Sequence, residues 1–219
     1  MAFWEKIRRT EKAVPPGRAA LHTGLVFLFG VGLGLFAKYL DYRQGQLPGL
    51  LQALDEALDL HNFLGRFSPW VLIAVCLALY SRSALRAALH VFVFFVGMVA
   101  SYYAYSKLVA GFFPASYALI WVGFTALSPL AAFVCWYAKG EGYAALLLSS
   151  LLMAAFFNMA FAFGWGYLDL RSGLELLVLA GAVAILRRER WQGTLLMTAL
   201  GAVMAPVLNG VLPYWMHLW

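Results

Sequence analysis

Seven apolar stretches set the limits of what this chain can fold into, and the Lys and Arg residues between them concentrate in every second gap. A hydrocarbon core admits few charges, a helix needs about 20 apolar residues to cross it, and cytoplasmic loops collect positive charge. The pattern therefore predicts an all-α, polytopic transmembrane helix bundle of about seven spans. Hydrophobic residues make up 63% of the 219 and charged residues 12%, against about 25% charged in soluble domains. A water-soluble fold of this size has too little interior to hide that much apolar surface. The net charge of +6 is scattered among loops, which argues against a nucleic-acid partner and for membrane lipid head groups.

Residues 1–20 form a basic segment carrying Lys6, Arg8, Arg9, Lys12 and Arg18, broken by Pro15 and Pro16. Phe3 and Trp4 beside basic residues suit a stretch, 3–12, lying along the membrane surface. Residues 21–219 read as a single integral membrane helical domain. Its first run, 21–40, is long and lacks a small-x-small cleavage site, so it reads as a retained span and not a signal peptide. The other spans fall at 67–80, 86–107, 113–138, 143–167, 173–186 and 193–217. The second and sixth are short, and Glu175 sits in the first turn of the sixth.

Threading these spans puts Lys6, Arg8, Arg9, Lys12, Arg18, Arg82, Arg86, Lys139, Arg187, Arg188 and Arg190 on the side of the N-terminus. Lys38, Arg43, Arg66, Lys107 and Arg171 fall opposite. Eleven against five predicts a cytoplasmic N-terminus and an external C-terminus. The long external connection, 41–66, has Leu47, Leu50, Leu51, Leu54 and Leu58 on one helical face and Gln52, Asp55, Glu56 and Asp59 opposite. It is expected to form an amphipathic helix on the membrane or capping the bundle, either as a plain surface element or as a mobile lid. Trp136, Tyr137, Trp165, Tyr167, Trp191, Tyr214, Trp215 and Trp219 cluster near span ends as an interfacial aromatic belt.

Polar residues inside spans are costly toward lipid and mark where chemistry can reside. In the third span Arg86, His90, Gly97, Ser101 and Tyr105 share one helical stripe, completed by Phe94. The stripe reads either as a substrate or proton path, with His90 able to titrate near neutrality, or as a buried packing seam. The fifth span supplies Ser149, Ser150 and Asn158, and the seventh Pro206, Asn209 and Pro213. Asn158 and Asn209 are either glue between helices or, with the His90 stripe, the walls of a polar pocket. In the first span Gly30 and Gly34 form a small-xxx-small contact for another helix. Lys38 and Asp41 lie three apart near the external boundary, as a neutralised pair or as a charged external gate.

Signatures of several enzyme classes are missing: no Gly-x-Ser-x-Gly, no His-Glu-x-x-His, no phosphate-binding loop and no paired intramembrane carboxylates. Cys76 and Cys135 each sit inside an apolar run and belong to no metal-ligand cluster. No catalytic residues, metal or cofactor are expected. Asp169 and Glu175 flank Arg171, where pairing is the ordinary reading.

The segments FAKYLD (36–41), YSRSALRAALHVFVFFVGM (80–98), SYYAYS (101–106) and SPLAAFVCWYAKG (128–140) resemble those of a bacterial family of small multi-spanning membrane proteins of unknown function. The resemblance covers most of the chain from the first span to Arg190. It implies a bacterial plasma membrane and carries no site assignment. By architecture alone, vitamin-uptake subunits of energy-coupling transporters are similarly small, and small facilitators with three-plus-one-plus-three spans would place the short second and sixth spans in equivalent positions. Two functions follow as expectations. One is a small-solute transporter or its membrane subunit, using the His90 stripe with Asn158 and Asn209. The other is a non-transporting assembly or regulatory protein, as a homo-oligomer or with a partner membrane protein through the Gly30–Gly34 face.

Overall fold

The computed structural model of the chain describes residues 3–12, 14–164 and 167–211. The expected end of the seventh span and Trp165, Pro213, Tyr214, Trp215 and Trp219 lie outside the described residues, as do the side chains of Phe3 and Trp4. The order of elements is α1 (Phe3–Ile7), α2 (Pro16–Tyr42), α3 (Gly49–Leu58), α4 (Leu60–Gly65), α5 (Ser68–Leu79), α6 (Ala84–Leu108), α7 (Ala115–Trp136) and α8 (Gly142–Ala160). A short antiparallel hairpin, β1 (Phe161–Gly164) and β2 (Tyr167–Leu170), precedes α9 (Gly173–Leu186) and α10 (Trp191–Val211). Among the described residues five helices are long and apolar enough to cross a membrane: α2, α6, α7 with its 3₁₀ extension to Lys139, α8 and α10. The apolar helices α5 and α9 are shorter, at 12 and 14 residues.

Local chemistry explains where these helices start and how they stay whole. Proline at the first helical position starts α2, where its missing N–H costs nothing. The hydroxyls of Ser83 and Ser172 cap α6 and α9, accepting from the N–H groups of Arg86 and Glu175. Pro129 lies inside α7 and cannot donate to the carbonyl of Thr125. The Ser128 hydroxyl donates to that carbonyl instead, at 2.9 Å, so no acceptor is stranded in an apolar surrounding.

The fifth apolar run is not helical throughout. Its helix was expected to reach 167, but α8 ends at Ala160, and Phe161 takes an extended conformation (φ −120°, ψ 142°). Phe161 pairs with Leu170 and Gly164 with Tyr167, and the Arg171 N–H closes the hairpin on the Ala160 carbonyl at 2.9 Å. The run after Ala160 alternates aromatic residues with Ala and Gly, a composition that suits a pleated ribbon better than a helix. The connection 41–66 also differs from one continuous amphipathic helix. Asp59 is left-handed (φ 56°) and separates α3 from α4. Leu47 and Asp55 are buried, whereas Leu50, Leu54 and Leu58 are exposed, Leu50 to 77%. Asp55 is drawn in because its carboxylate accepts from the His61 N–H at 2.8 Å and from the His61 ring Nδ1 at 2.9 Å.

The chain forms two compact units. The first comprises Thr10–Gly65 and Tyr80–Val134 and is organised by the packing of α2 on α6. A Cβ on Gly30 would overlap the Phe94 carbonyl, one on Gly34 the Met98 carbonyl, and one on Gly97 would meet the Phe27 carbonyl. The two backbones approach this closely because glycine stands at each crossing point. The second unit comprises Met1–Arg9, Arg66–Leu79 and Cys135–Trp219. Here α8 packs on α10, and Gly201 admits the Met153 side chain and the Ser150 carbonyl.

Candidate functional site

The third-span stripe faces α2 in the first unit. Arg86 donates to the Ala19 carbonyl at 3.3 Å. Ser101 is buried and donates to the Val31 carbonyl at 3.0 Å. Tyr105 meets Tyr42 edge-on, with ring centroids 6.2 Å apart. His90 shares its Nδ1 with the Ser81 hydroxyl at 3.1 Å, while its Nε2 is buried with no hydrogen-bond partner among the described residues. Arg86 and Ser101 are thus engaged with the backbone of the helix they pack on. The Gly30–Gly34 face, considered above as a surface for a second protein, is occupied by α6 of the same chain.

Asn158 and Asn209 belong to the second unit. The buried Asn158 amide donates to its own helix at Ala154 (3.1 Å) and across to the Ala205 carbonyl of α10 (2.9 Å). Asn209 is half-buried on α10. The structure joins Asn158 to α10 through a backbone atom, not through Asn209.

Lys38 and Asp41 pair at 2.5 Å on the last turns of α2, one turn apart as their spacing requires. Lys38 is only 4% exposed, whereas the Asp41 side chain is half in the open. The ammonium also lies 5.2 Å from the centre of the Tyr102 ring and 4.8 Å from that of Phe112. Reciprocal bonds between Ser106 and Phe112 hold the second ring in place. A desolvated cation is tolerable here because one carboxylate and two π faces surround it.

A fourth cluster was not singled out from the sequence. In the second unit Glu175, in the first turn of α9, is 2% exposed, and its Oε1 lies 3.6 Å from Arg66 Nη1, just before α5. Ser68, the first residue of α5, is equally buried, and its hydroxyl stands beside the same carboxyl without completing a hydrogen bond. Arg171 adds a second positive charge nearby. Ser68 Oγ and Glu175 Oε2 are both buried without a hydrogen-bond partner among the described residues. The local signals were the nearness of Arg171 to Glu175 and the capping-box pattern Ser172-x-x-Glu175. The box is half made: Ser172 accepts from the Glu175 N–H, but the Glu175 carboxylate turns to Arg66.

The two short helices that carry this cluster run in the same direction. Their N-terminal ends meet at Ser68 and Glu175, and Leu72 packs on Gly181 farther along. Basic side chains collect the carbonyls at the opposite ends. Arg8 donates to Leu79 at the end of α5 (3.0 Å) and to Trp136 at the end of α7 (2.7 Å), with its guanidinium 4.2 Å over the Trp136 ring. Lys139 donates to Ile185 near the end of α9 at 2.9 Å. Arg188 donates to the Gly140 carbonyl at 2.7 Å and to the Ser149 hydroxyl at 3.1 Å. Cations belong at carbonyl ends, where the helix dipole is negative. All three of these basic residues, counted above on the side of the N-terminus, bond acceptors within the chain.

Comparison with family models, curated proteins and solved structures found no match to the chain.

Proposed function

We propose that this chain is a small-solute transporter, or the membrane subunit of one, whose site lies at the converging N-terminal ends of α5 and α9 and not along the His90 stripe. In this reading it crosses a bacterial plasma membrane seven times, with its N-terminus cytoplasmic and its C-terminus external. The exposed leucines of α3 and the break at Asp59 suit a helix pair resting on the outer surface. The observation that carries the transport reading is the geometry of the short pair. At about 1.5 Å per residue, α5 and α9 reach about 18 and 21 Å, less than a hydrocarbon core of about 30 Å. With their far ends at the cytoplasmic face, next to Arg8 and Lys139, their near ends stop inside the membrane at a buried charged cluster. Parallel half-length helices aimed at one charged point are a recurrent way to build a solute site in transporters.

The test needs no knowledge of the solute. In a background carrying Cys76→Ala and Cys135→Ala, the Ser68→Cys variant in sealed vesicles should react with a small hydrophilic thiol reagent, while Ser101→Cys should not. A Ser68→Cys variant that stays unmodified from both sides overturns the proposal.

One observation favours the second reading, a non-transporting assembly or regulatory protein. Arg86, Ser101 and Asn158 bond backbone carbonyls of neighbouring segments, as residues that merely hold helices together do. This reading predicts that both cysteine variants are silent.

A further inference from the structure

We propose that the cluster at the starts of α5 and α9 binds the carboxylate of a small organic acid, and that the Glu175 carboxyl is an internal tenant of that site. The assignment rests on the transport reading and names its substrate class. Three features of the cluster lead to it.

The first is the balance of charge. Each helix start contributes roughly half a positive charge. Arg66 and Arg171 bring two more positive charges, and the Glu175 carboxylate lies near both. A compact anion is what such a surrounding selects, and helix starts hold anions readily.

The second is the quality of the existing fit. A charge-assisted Arg–carboxylate bond closes at about 2.7–2.9 Å and is often bidentate. Glu175 reaches Arg66 with one oxygen at 3.6 Å and leaves the other buried and unbonded. Ser68 meanwhile holds a hydroxyl, 2% exposed at the residue level, that bonds nothing described. Glu175 thus neutralises the site without satisfying its donors. A free carboxylate, not tethered through Cβ and Cγ to the backbone of α9, can face Arg66 with both oxygens and accept from Ser68 as well.

The third is the place itself. The buried Glu175 carboxyl already occupies it, so a ligand carboxylate enters by displacing that group. Ligand and tenant compete, and an occupied site always contains one carboxylate. Inorganic anions such as chloride share the charge but lack the planar pair of oxygens. A two-oxygen ligand suits the planar guanidinium of Arg66 better.

The test uses the purified full-length protein in nanodiscs with propionate, chloride and ethylammonium as probes. Propionate should bind the wild type weakly and the Glu175→Gln variant about tenfold or more tightly, because the competing charge is gone while the side-chain shape remains. Arg66→Gln should abolish propionate binding, and ethylammonium should bind neither protein. Equal propionate affinity in wild type and Glu175→Gln, tighter binding of chloride than of propionate, or binding of ethylammonium overturns the proposal. If Glu175→Gln fails to fold, propionate protection of Ser68→Cys from thiol modification decides: protection supports the carboxylate site and its absence overturns it. The outcomes separate the two proposals. A reactive Ser68→Cys that propionate does not protect refutes the carboxylate and leaves transport standing. A Ser68→Cys silent from both sides refutes transport, whereas propionate binding, if found, still supports the carboxylate site.

Discussion

Two glycines only two residues apart on α2, on opposite sides of the helix, offer a matched measurement of the α2–α6 seam. Gly34 faces α6, where a Cβ would overlap the Met98 carbonyl and the Ser101 hydroxyl. Gly32 has nothing within 4 Å of such a Cβ. Replacing either by Ala raises helix propensity by about 1 kcal/mol, so that gain cancels when the two variants are compared. What remains at Gly34 is the clash. Its main obstacle is backbone, which no rotamer change can move, so α2 must back away by about an ångström. A gap of about 0.5–1 Å forfeits a quarter to a half of each dispersion contact along the seam, and overpacking of this kind costs about 1–3 kcal/mol. The Ser101 bond to Val31, worth about 0.6 kcal/mol in a membrane setting, is stretched by the same motion. Gly34→Ala should therefore be less stable than Gly32→Ala by about 2–4 kcal/mol. Reversible unfolding in mixed micelles under increasing sodium dodecyl sulfate reads this difference. Two variants within about 0.5 kcal/mol of each other would refute the reasoning, because the seam would then not depend on glycine at position 34.

The Lys38–Asp41 pair should respond asymmetrically. Asp41→Asn strands a buried ammonium and should cost about 3 kcal/mol or more, whereas Lys38→Met leaves a carboxylate that water already reaches and should cost about 1 kcal/mol or less; equal losses in thermal unfolding would contradict this. Asn158→Ala removes a buried bond between α8 and α10 and should lower stability by about 0.6–1.7 kcal/mol, while Asn209→Ala, half-buried, should stay within about 0.5 kcal/mol of the wild type. For orientation, Gly45→Cys should react with impermeant reagent from outside intact cells and Gly193→Cys only after the cells are opened; labelling of Gly193→Cys from outside would reverse the assigned topology.

The long helices were legible in the sequence because apolar runs bounded by charges are set by solvation, a property of composition. Hydropathy does not separate helix from strand, however, so the aromatic residues after Ala160 were read as more of the same span. Lys38 and Asp41 were legible as a pair because one turn of helix joins them. The stripe through His90 could be drawn from periodicity, which tells which residues share a face but not what that face meets; that it meets α2 depends on tertiary packing. Glu175 illustrates the same gap. Its sequence neighbours Asp169 and Arg171 suggested a local pairing, while Arg66 belongs to a segment remote in sequence. Asp55, placed on the polar face of an amphipathic helix, turns inward because the left-handed break at Asp59 brings the His61 N–H within its reach.

The docking of the N-terminal segment carries a consequence for the order in which the chain settles. Ile7 is buried, its carbonyl accepts from the Glu141 N–H at 2.8 Å, and Arg8 needs the carbonyls of both Leu79 and Trp136. None of those partners exists when residues 1–9 leave the ribosome, and the last of them, Glu141, is made only after α7 is complete. Ile7 and Arg8 must therefore wait, undocked, through the synthesis of α2 and α6. They are made well before any of the groups that hold them.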